Sequence, residues 1–258
     1  MIEVRDLSFA YYKGPKVLQS VTFRLDAGQT LCVLGPNGSG KTTLLKAILG
    51  FLPLPKHAVF IAGQPIETYD RPSLARLLAY VPQNLGAVFG YKVKDMVAMG
   101  RTGRKKWGDF DQEDLKKARA ALELVGILSL AERPVTELSG GQARLTIIAR
   151  ALAQDSRLIL MDEPTSGLDL SNQALVLSTM KRLNAEAKVA FLMTTHHPEQ
   201  AVYLGGEALL MKAGRALAFG EARTLTTIKA VEDLYDLKPG LLSQMGLSPV
   251  CLEGTYGD

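Results

Sequence analysis

The chain has 258 residues, of which 47% are hydrophobic and 22% are charged. A chain of this length can bury enough apolar surface to fold without disulfides or metals, as one large domain or two small ones. No stretch reaches the roughly 18 uncharged apolar residues that a membrane-spanning helix needs. The first six residues, MIEVRD, carry acids and do not look like a signal peptide. We therefore expect a cytoplasmic chain that does not itself cross a bilayer.

The net charge of +4 is mild. It suits anionic ligands or lipid headgroups and is far from the basic signature of a nucleic-acid-binding protein. A basic cluster, GRTGRKK at residues 100–106 followed by Trp107, is either a solvated loop or a phospholipid contact. Cys32 and Cys251 have neither paired nor metal-like spacing, so we predict reduced thiols.

The first third of the chain predicts strands around one helix. VTFRL at residues 21–25 alternates apolar and polar residues, as a half-buried antiparallel strand does, whereas the uniformly apolar TLCVL at 30–34 predicts a buried strand. A helix over residues 41–49 is expected to end at Gly50. LAYVPQ at 78–83 predicts another short strand.

The pattern is helical from residue 93 to residue 153, and no strand is evident there. Within it, DQEDLKKARAALELVG has acids in its first turn and a terminal glycine, both typical of a helix. Strands and one helix are predicted after this segment. The strands lie at residues 157–161 and 188–195, the helix at 170–185, and a hairpin at 207–220 that turns near Ala213 and Gly214. Strands that alternate with helices indicate a parallel, buried sheet.

A glycine-rich loop occupies residues 35–43, GPNGSGKTT, between the buried strand and the helix. It fits the pattern G-x-x-x-x-G-K-[ST], in which glycines let the backbone bend around phosphates and the helix dipole favours anions. We predict that Lys41 reaches the β- and γ-phosphates and that Thr42 ligates Mg²⁺. The residues predicted to bind nucleotide are Gly35, Pro36, Asn37, Gly38, Ser39, Gly40, Lys41, Thr42 and Thr43.

Two acids and a histidine follow other predicted strands. In LILMDEP, Asp162 is placed to hold a metal beside phosphates and Glu163 to act as general base, unless the pair is only solvated. In FLMTTHHPEQ, His196 could meet a γ-phosphate or could be structural. A metal site at His196 and His197 is disfavoured because neighbouring residues on a strand point to opposite faces and no third ligand type is nearby.

A second glycine-rich loop, LSGGQ at residues 138–142, precedes a helix. With the first loop, it makes the chain resemble the nucleotide-binding subunit of ATP-binding-cassette transporters over about residues 1–225. The resemblance implies an α/β, RecA-like P-loop NTPase core with a mostly parallel sheet, an antiparallel β subdomain and an inserted α-helical subdomain. In domain terms it implies one cassette over 1–258. Its parts are a core at 1–90 and 156–230, a helical signature subdomain at 91–155 and a tail at 231–258.

The resemblance also implies roles for single residues. Tyr11, or its neighbour Tyr12, corresponds to the aromatic that stacks on adenine. Gln83 matches a glutamine that senses Mg²⁺ and the γ-phosphate, and His196 matches the switch histidine. Ser139, Gly140, Gly141 and Gln142 match the signature loop, and Asp169 matches the D-loop. The chain departs from many relatives at Ala143, and we expect Arg144 to present the cation instead.

For function, the resemblance implies an ATPase that uses ATP and Mg²⁺ in a head-to-tail homodimer, where the P-loop of one copy and the signature loop of the other hold the same ATP. Transmembrane permease subunits are expected to dock around residues 85–101, at the cytoplasmic face of the membrane. The motifs look most like importers of ferric siderophores, haem or cobalamin, with some molybdate and tungstate importers, and such systems use an extracytoplasmic substrate-binding protein. An exporter ATPase and a non-transport cassette ATPase that acts on nucleic acid or protein assemblies are the rival interpretations.

Overall fold

The computed structural model describes residues 1–84, 90–104 and 110–246. Several predicted features lie wholly or partly outside that description. They are residues 85–89 of the docking surface, residues 105 and 106 of the basic cluster with Trp107 after it, Cys251, and the end of the tail. The chain divides into two compact units, Asp70–Phe191 on the one hand and Met1–Tyr69 with Leu192–Asp258 on the other. We call the second of these the P-loop unit and the first the signature unit. The domain limits given by the resemblance stay a prediction.

The described residues form ten strands and ten α-helices. The strands are β1 (Ile2–Ala10), β2 (Lys16–Leu25), β3 (Thr30–Leu34), β4 (Val59–Ile61), β5 (Gln64–Pro65), β6 (Leu78–Val81), β7 (Leu158–Asp162), β8 (Ala190–Thr195), β9 (Glu207–Lys212) and β10 (Arg215–Glu221). The helices are α1 (Lys41–Ile48), α2 (Arg71–Leu77), α3 (Val93–Ala98), α4 (Gln112–Val125), α5 (Gly140–Ala153), α6 (Leu170–Ala187), α7 (Pro198–Leu204), α8 (Ala222–Leu225), α9 (Ile228–Leu234) and α10 (Leu241–Gln244). No helix among these described residues is both long and apolar enough to cross a membrane.

The P-loop unit contains the expected antiparallel sheet, in the order β2-β1-β4-β5. Ile2 lies opposite Leu25 on one side and Ile61 on the other. All three side chains are buried, so the alternation seen in VTFRL does mark a half-buried strand, although β2 begins earlier, at Lys16. The first strand, β1, has no clear sequence signal and was not predicted.

The same unit also holds β10, β9 and β3, which are neighbours in that order, and Leu192–Thr195 of β8, the next strand after β3. Strand β3 is buried along its whole length and runs parallel to β9, with Cys32 opposite Ala208. Strands β9 and β10 form the predicted hairpin. The turn residues Ala213 and Gly214 both have positive φ angles, 47° and 80°. This parallel pairing places the carboxyl end of β3 where the P-loop begins.

The signature unit contains β6 and β7, which run parallel. Described residues between 93 and 153 form helices and no strand, as predicted. Helix α4 begins at a capping box between Asp111 and Asp114 and ends at Gly126, whose φ is 79°. A buried ion pair joins Arg101 to Asp114, at 3.1 Å, and Arg101 also donates to the Ala153 carbonyl at the end of α5.

Candidate functional site

The P-loop is the turn between β3 and α1 in the P-loop unit. Gly38 and Gly40 have φ angles of 79° and 100°, which other residues rarely adopt, and Gly40 caps the helix. A Cβ at Gly35 would overlap the Met211 carbonyl oxygen on β9 and lie 2.7 Å from Ser39 Oγ. Beside Gly38 there is open space instead. The loop is therefore closely packed against the sheet at its base and open at its tip.

Polar groups of the P-loop converge at the start of α1. Lys41 is only 6% exposed, and its ammonium donates to the carbonyls of Gly35 and Pro36 at 2.8 and 3.1 Å. Thr42, the predicted Mg²⁺ ligand, is exposed. Ser39 Oγ is buried and has no hydrogen-bond partner. An ammonium held over a loop with free space at its tip fits a phosphate group.

Tyr11 lies beside this loop. Its hydroxyl shares a hydrogen bond of 3.4 Å with Thr43 Oγ1, and its ring stands edge-on against Phe9. The residue is 45% exposed, so part of its ring is available to stack on a base. Tyr12 is fully exposed and has a φ of 51°. Of the two tyrosines predicted to meet adenine, Tyr11 is the one fixed to the loop.

His196 follows β8, which ends at Thr195. The argument that His196 and His197 point to opposite faces is wrong, because their rings lie 4.2 Å apart. Both residues lie beyond the end of the strand, where alternation no longer holds. Burial acts to raise the pKa of the Glu199 carboxyl, but the hydrogen bond from His197, a backbone hydrogen bond and the nearby histidines together lower it overall. Tyr235 Oη donates to the His196 carbonyl at 2.7 Å, a contact from the residue after α9 that no motif signalled.

In the signature unit, the two acids lie where β7 ends. Asp162 is 4% exposed, and Glu163 has a φ of 43°, an unusual angle for a residue other than glycine. The Gln83 side-chain amide donates to Glu163 Oε2 at 3.2 Å and to Ser166 Oγ at 3.3 Å. Burial and the charge of Asp162 raise the pKa of Tyr80 to about 12. The structure thus brings Gln83 and Glu163 together, although they are far apart in the chain.

The signature loop forms the start of α5. Ser139 and Gln142 make a capping box, in which each side chain accepts from the other's backbone N–H. A Cβ at Gly141 would overlap the Asn172 side chain. Asn172 in turn donates to Asp169 Oδ2 at 3.0 Å, and Asp169 caps α6. Asn172 therefore connects the signature loop with the D-loop residue, and sequence reasoning missed it.

Arg144 does not present a cation, and that prediction was wrong. The side chain is only 4% exposed and donates to the carbonyls of Pro82 and Gln83. One turn into α5, it faces the interior of the signature unit because the helix buries that side. Nothing in the described structure explains why alanine stands at position 143.

Comparisons with known proteins decide the family. Residues 18–166, more than half of the chain, match the sequence profile described as ABC transporter. The chain belongs to the ABC transporter family. The ABC subunit is 38% identical to the molybdate import ATP-binding protein MolC of Haemophilus influenzae, over 92% of this chain and 88% of that one. It is 31% identical to the iron(3+)-hydroxamate import ATP-binding protein FhuC of Bacillus subtilis, over 93% and 90% of the two chains.

A solved ABC transporter described as of the metal-chelate type, in an inward-facing conformation, has a chain 36% identical to the ABC subunit. The two align with a TM-score of 0.79 over 90% of this chain and 87% of that one. The predicted fold, a P-loop NTPase cassette, is thereby confirmed. The chain is an ATP-binding subunit of an ABC transporter, and its activity is ATP hydrolysis.

Proposed function

We propose that this ABC subunit hydrolyses ATP in a head-to-tail homodimer and thereby drives import of a metal chelate through separate membrane subunits. The main observation behind this proposal is that the signature loop is exposed and accessible to a partner. Ser139 and Gly140 are exposed, and next to the D-loop residue Asp169, Leu170 is 83% exposed. Large exposed apolar side chains beside a binding loop favour a surface that another protein covers. With one P-loop and one signature loop per chain, two copies would share two sites by two-fold symmetry.

The predicted site residues divide this reaction between them as follows. The P-loop amides and Lys41 hold the phosphates, and Tyr11 stacks on adenine. Glu163 accepts the proton of the attacking water as the bond between the β–γ bridging oxygen and the γ-phosphorus breaks, so that phosphate leaves ADP. His196 positions the γ-phosphate. The ATP held by the P-loop of the other copy is bound by the signature residues Ser139, Gly140, Gly141 and Gln142.

Mg²⁺ fits the oxygen donors of this chain, because hydroxyl, carboxylate and amide oxygens are the ligands it accepts in proteins. Thr42, Asp162 and Gln83 would hold it. When bound, the ion neutralises charge on the phosphates. Asp162 is buried at the end of β7. Thr42 lies in the first turn of α1 and is exposed.

The transported compound is proposed from the relatives. The solved relative is of the metal-chelate type and FhuC is named for iron(3+)-hydroxamate, whereas MolC is named for molybdate. We place this subunit with ferric siderophore, haem or cobalamin importers, at the cytoplasmic face of the membrane. Its permease partners would dock on residues 85–101, and an extracytoplasmic substrate-binding protein would deliver the chelate. In the described part of that surface, Tyr91 is 45% exposed.

Purification of the tagged subunit from native membranes tests this proposal. We expect transmembrane subunits to copurify, and vesicles containing the recovered complex to accumulate ferric hydroxamate, haem or cobalamin in an ATP-dependent manner. The Glu163→Gln variant serves as the matched control, because it keeps the binding groups and loses the base. Uptake of molybdate alone would place the subunit with MolC-like importers instead. Recovery of ribosomes or DNA, or ATP-dependent export, would contradict the proposal.

A further inference from the structure

Arg144 joins the signature helix to the backbone that carries Gln83. Its Nη1 donates to the Pro82 carbonyl at 2.7 Å and its Nη2 to the Gln83 carbonyl at 2.8 Å. These two carbonyls follow directly after β6, whose pairing with β7 ends at Val81. The Arg144 guanidinium therefore holds the backbone at Pro82 and Gln83 by hydrogen bonds, where the strand pairing of β6 no longer does so.

Burying a cation at this position costs folding free energy. The guanidinium is buried, burial lowers its pKa, and its Nε has no hydrogen-bond partner. Apolar residues that replace buried charged groups often leave a fold equally stable or more so. What an apolar side chain cannot provide is a planar fork of donors that reaches two successive carbonyls, and a lysine ammonium lacks that fork as well. The geometry thus favours precise placement of the backbone over stability as the role of Arg144.

The placed residue is Gln83, and its side chain reaches Glu163. The Gln83 backbone carbonyl accepts from Arg144, while its side-chain amide donates to Glu163 Oε2 at 3.2 Å. Gln83 itself is exposed, so few packing contacts hold it. A small rotation of the backbone at Pro82 and Gln83 would move this amide out of hydrogen-bond range of the carboxylate.

We propose that Arg144 is a positioning residue for ATP hydrolysis, which acts by fixing the backbone at Gln83 so that the Gln83 amide meets Glu163. This inference rests on the proposed roles of Gln83 and Glu163. The same hydrogen bonds couple the position of Gln83 to that of the signature helix α5. A movement of the signature loop would therefore also move Gln83, the predicted Mg²⁺-sensing residue.

The test compares Arg144→Met, Arg144→Lys, Gln83→Ala and the double variant Arg144→Met/Gln83→Ala in the full-length protein. Displacement of a catalytic group by about 1 Å can cost up to about a hundredfold in rate, so we expect Arg144→Met to lower kcat by about ten- to a hundredfold. The KM for ATP should change by less than about twofold, because the P-loop groups that bind ATP are untouched. Arg144→Lys should keep an intermediate kcat, since it retains the charge without the fork.

The double variant is the decisive comparison. If Arg144 acts through Gln83, the double variant has the kcat of Gln83→Ala alone, because two changes in one pathway are not additive. The matched control is Arg182→Met, which removes an exposed arginine that also donates to a backbone carbonyl, that of Leu124 at 2.7 Å. This control should keep the wild-type kcat. Melting temperatures of all variants are measured alongside.

Several results would overturn the inference, and they are distinguishable from failure of the proposed function. Losses in kcat that multiply in the double variant would show that Arg144 acts independently of Gln83. A wild-type kcat with a lowered melting temperature in Arg144→Met or Arg144→Lys would show a purely structural residue. A wild-type kcat in Gln83→Ala would refute the proposed role of Gln83 itself, and with it the inference. A low kcat in Gln83→Ala beside wild-type activity in Arg144→Met would refute the inference and leave the proposed role intact.

Discussion

Replacement of Gly35 by alanine tests how tightly the P-loop is packed against the sheet. The added Cβ would overlap the Met211 carbonyl oxygen and lie 2.7 Å from Ser39 Oγ. The first of these neighbours is backbone of β9, the strand that pairs with β3 next to the loop. It cannot rotate away as a side chain could. The loop or the strand must therefore shift.

The expected cost follows from that overlap. Overpacking of a tight site typically costs about 1–3 kcal/mol, and we expect about 3 kcal/mol because backbone must move. Gly38→Ala is the matched control in the same loop. A Cβ there meets no atom within 4 Å, so its cost is the left-handed φ alone, about 1–2 kcal/mol.

Thermal unfolding and ATP-binding titrations of the two variants measure these effects. We expect Gly35→Ala to melt at a lower temperature than Gly38→Ala and to bind ATP more weakly, because a displaced loop no longer aims its N–H groups at the phosphates. Equal melting temperatures, or a more stable Gly35→Ala, would refute the packing argument.

Three further predictions concern other parts of the chain. Glu163→Gln should bind ATP, hardly turn it over and accumulate as a dimer in size-exclusion chromatography with ATP, because the base is lost while the binding groups remain; a monomer with normal turnover would contradict the assignment. Asp114→Ala should destabilise the signature unit by about 3–5 kcal/mol in urea unfolding, since it leaves the Arg101 charge buried and unpaired. Burial raises the pKa of the Cys32 thiol to about 12. Cys32 in a Cys251→Ser background should therefore resist iodoacetamide at pH 8 until the protein is unfolded.

Local signals in the sequence predicted much of the fold. Asp111 and Gly126 mark both ends of α4 as expected, and Ala213 and Gly214 form the turn of the β9–β10 hairpin. The P-loop was predictable because its pattern, its strand and its helix are all adjacent in the chain. Such features depend on neighbouring residues, which a sequence displays directly.

Contacts between distant residues were not predictable in the same way. The burial of Arg144 depends on carbonyls some sixty positions earlier, and the link from Gly141 through Asn172 to Asp169 depends on how α5 and α6 pack. The close approach of the His196 and His197 rings depends on the backbone beyond the end of β8 at Thr195. In each case, packing that no local pattern records decides the side-chain direction.

The central claim is that each ATP is held by the P-loop of one copy and the signature loop of the other. Mixing of two inactive variants, Lys41→Ala and Ser139→Arg, tests it most directly. In a mixed dimer, the intact P-loop of one copy meets the intact signature loop of its partner, so one of two shared sites is complete. Random pairing of equal amounts should therefore restore about a quarter of the wild-type ATPase rate. A mixture as inactive as each variant alone would contradict the shared site.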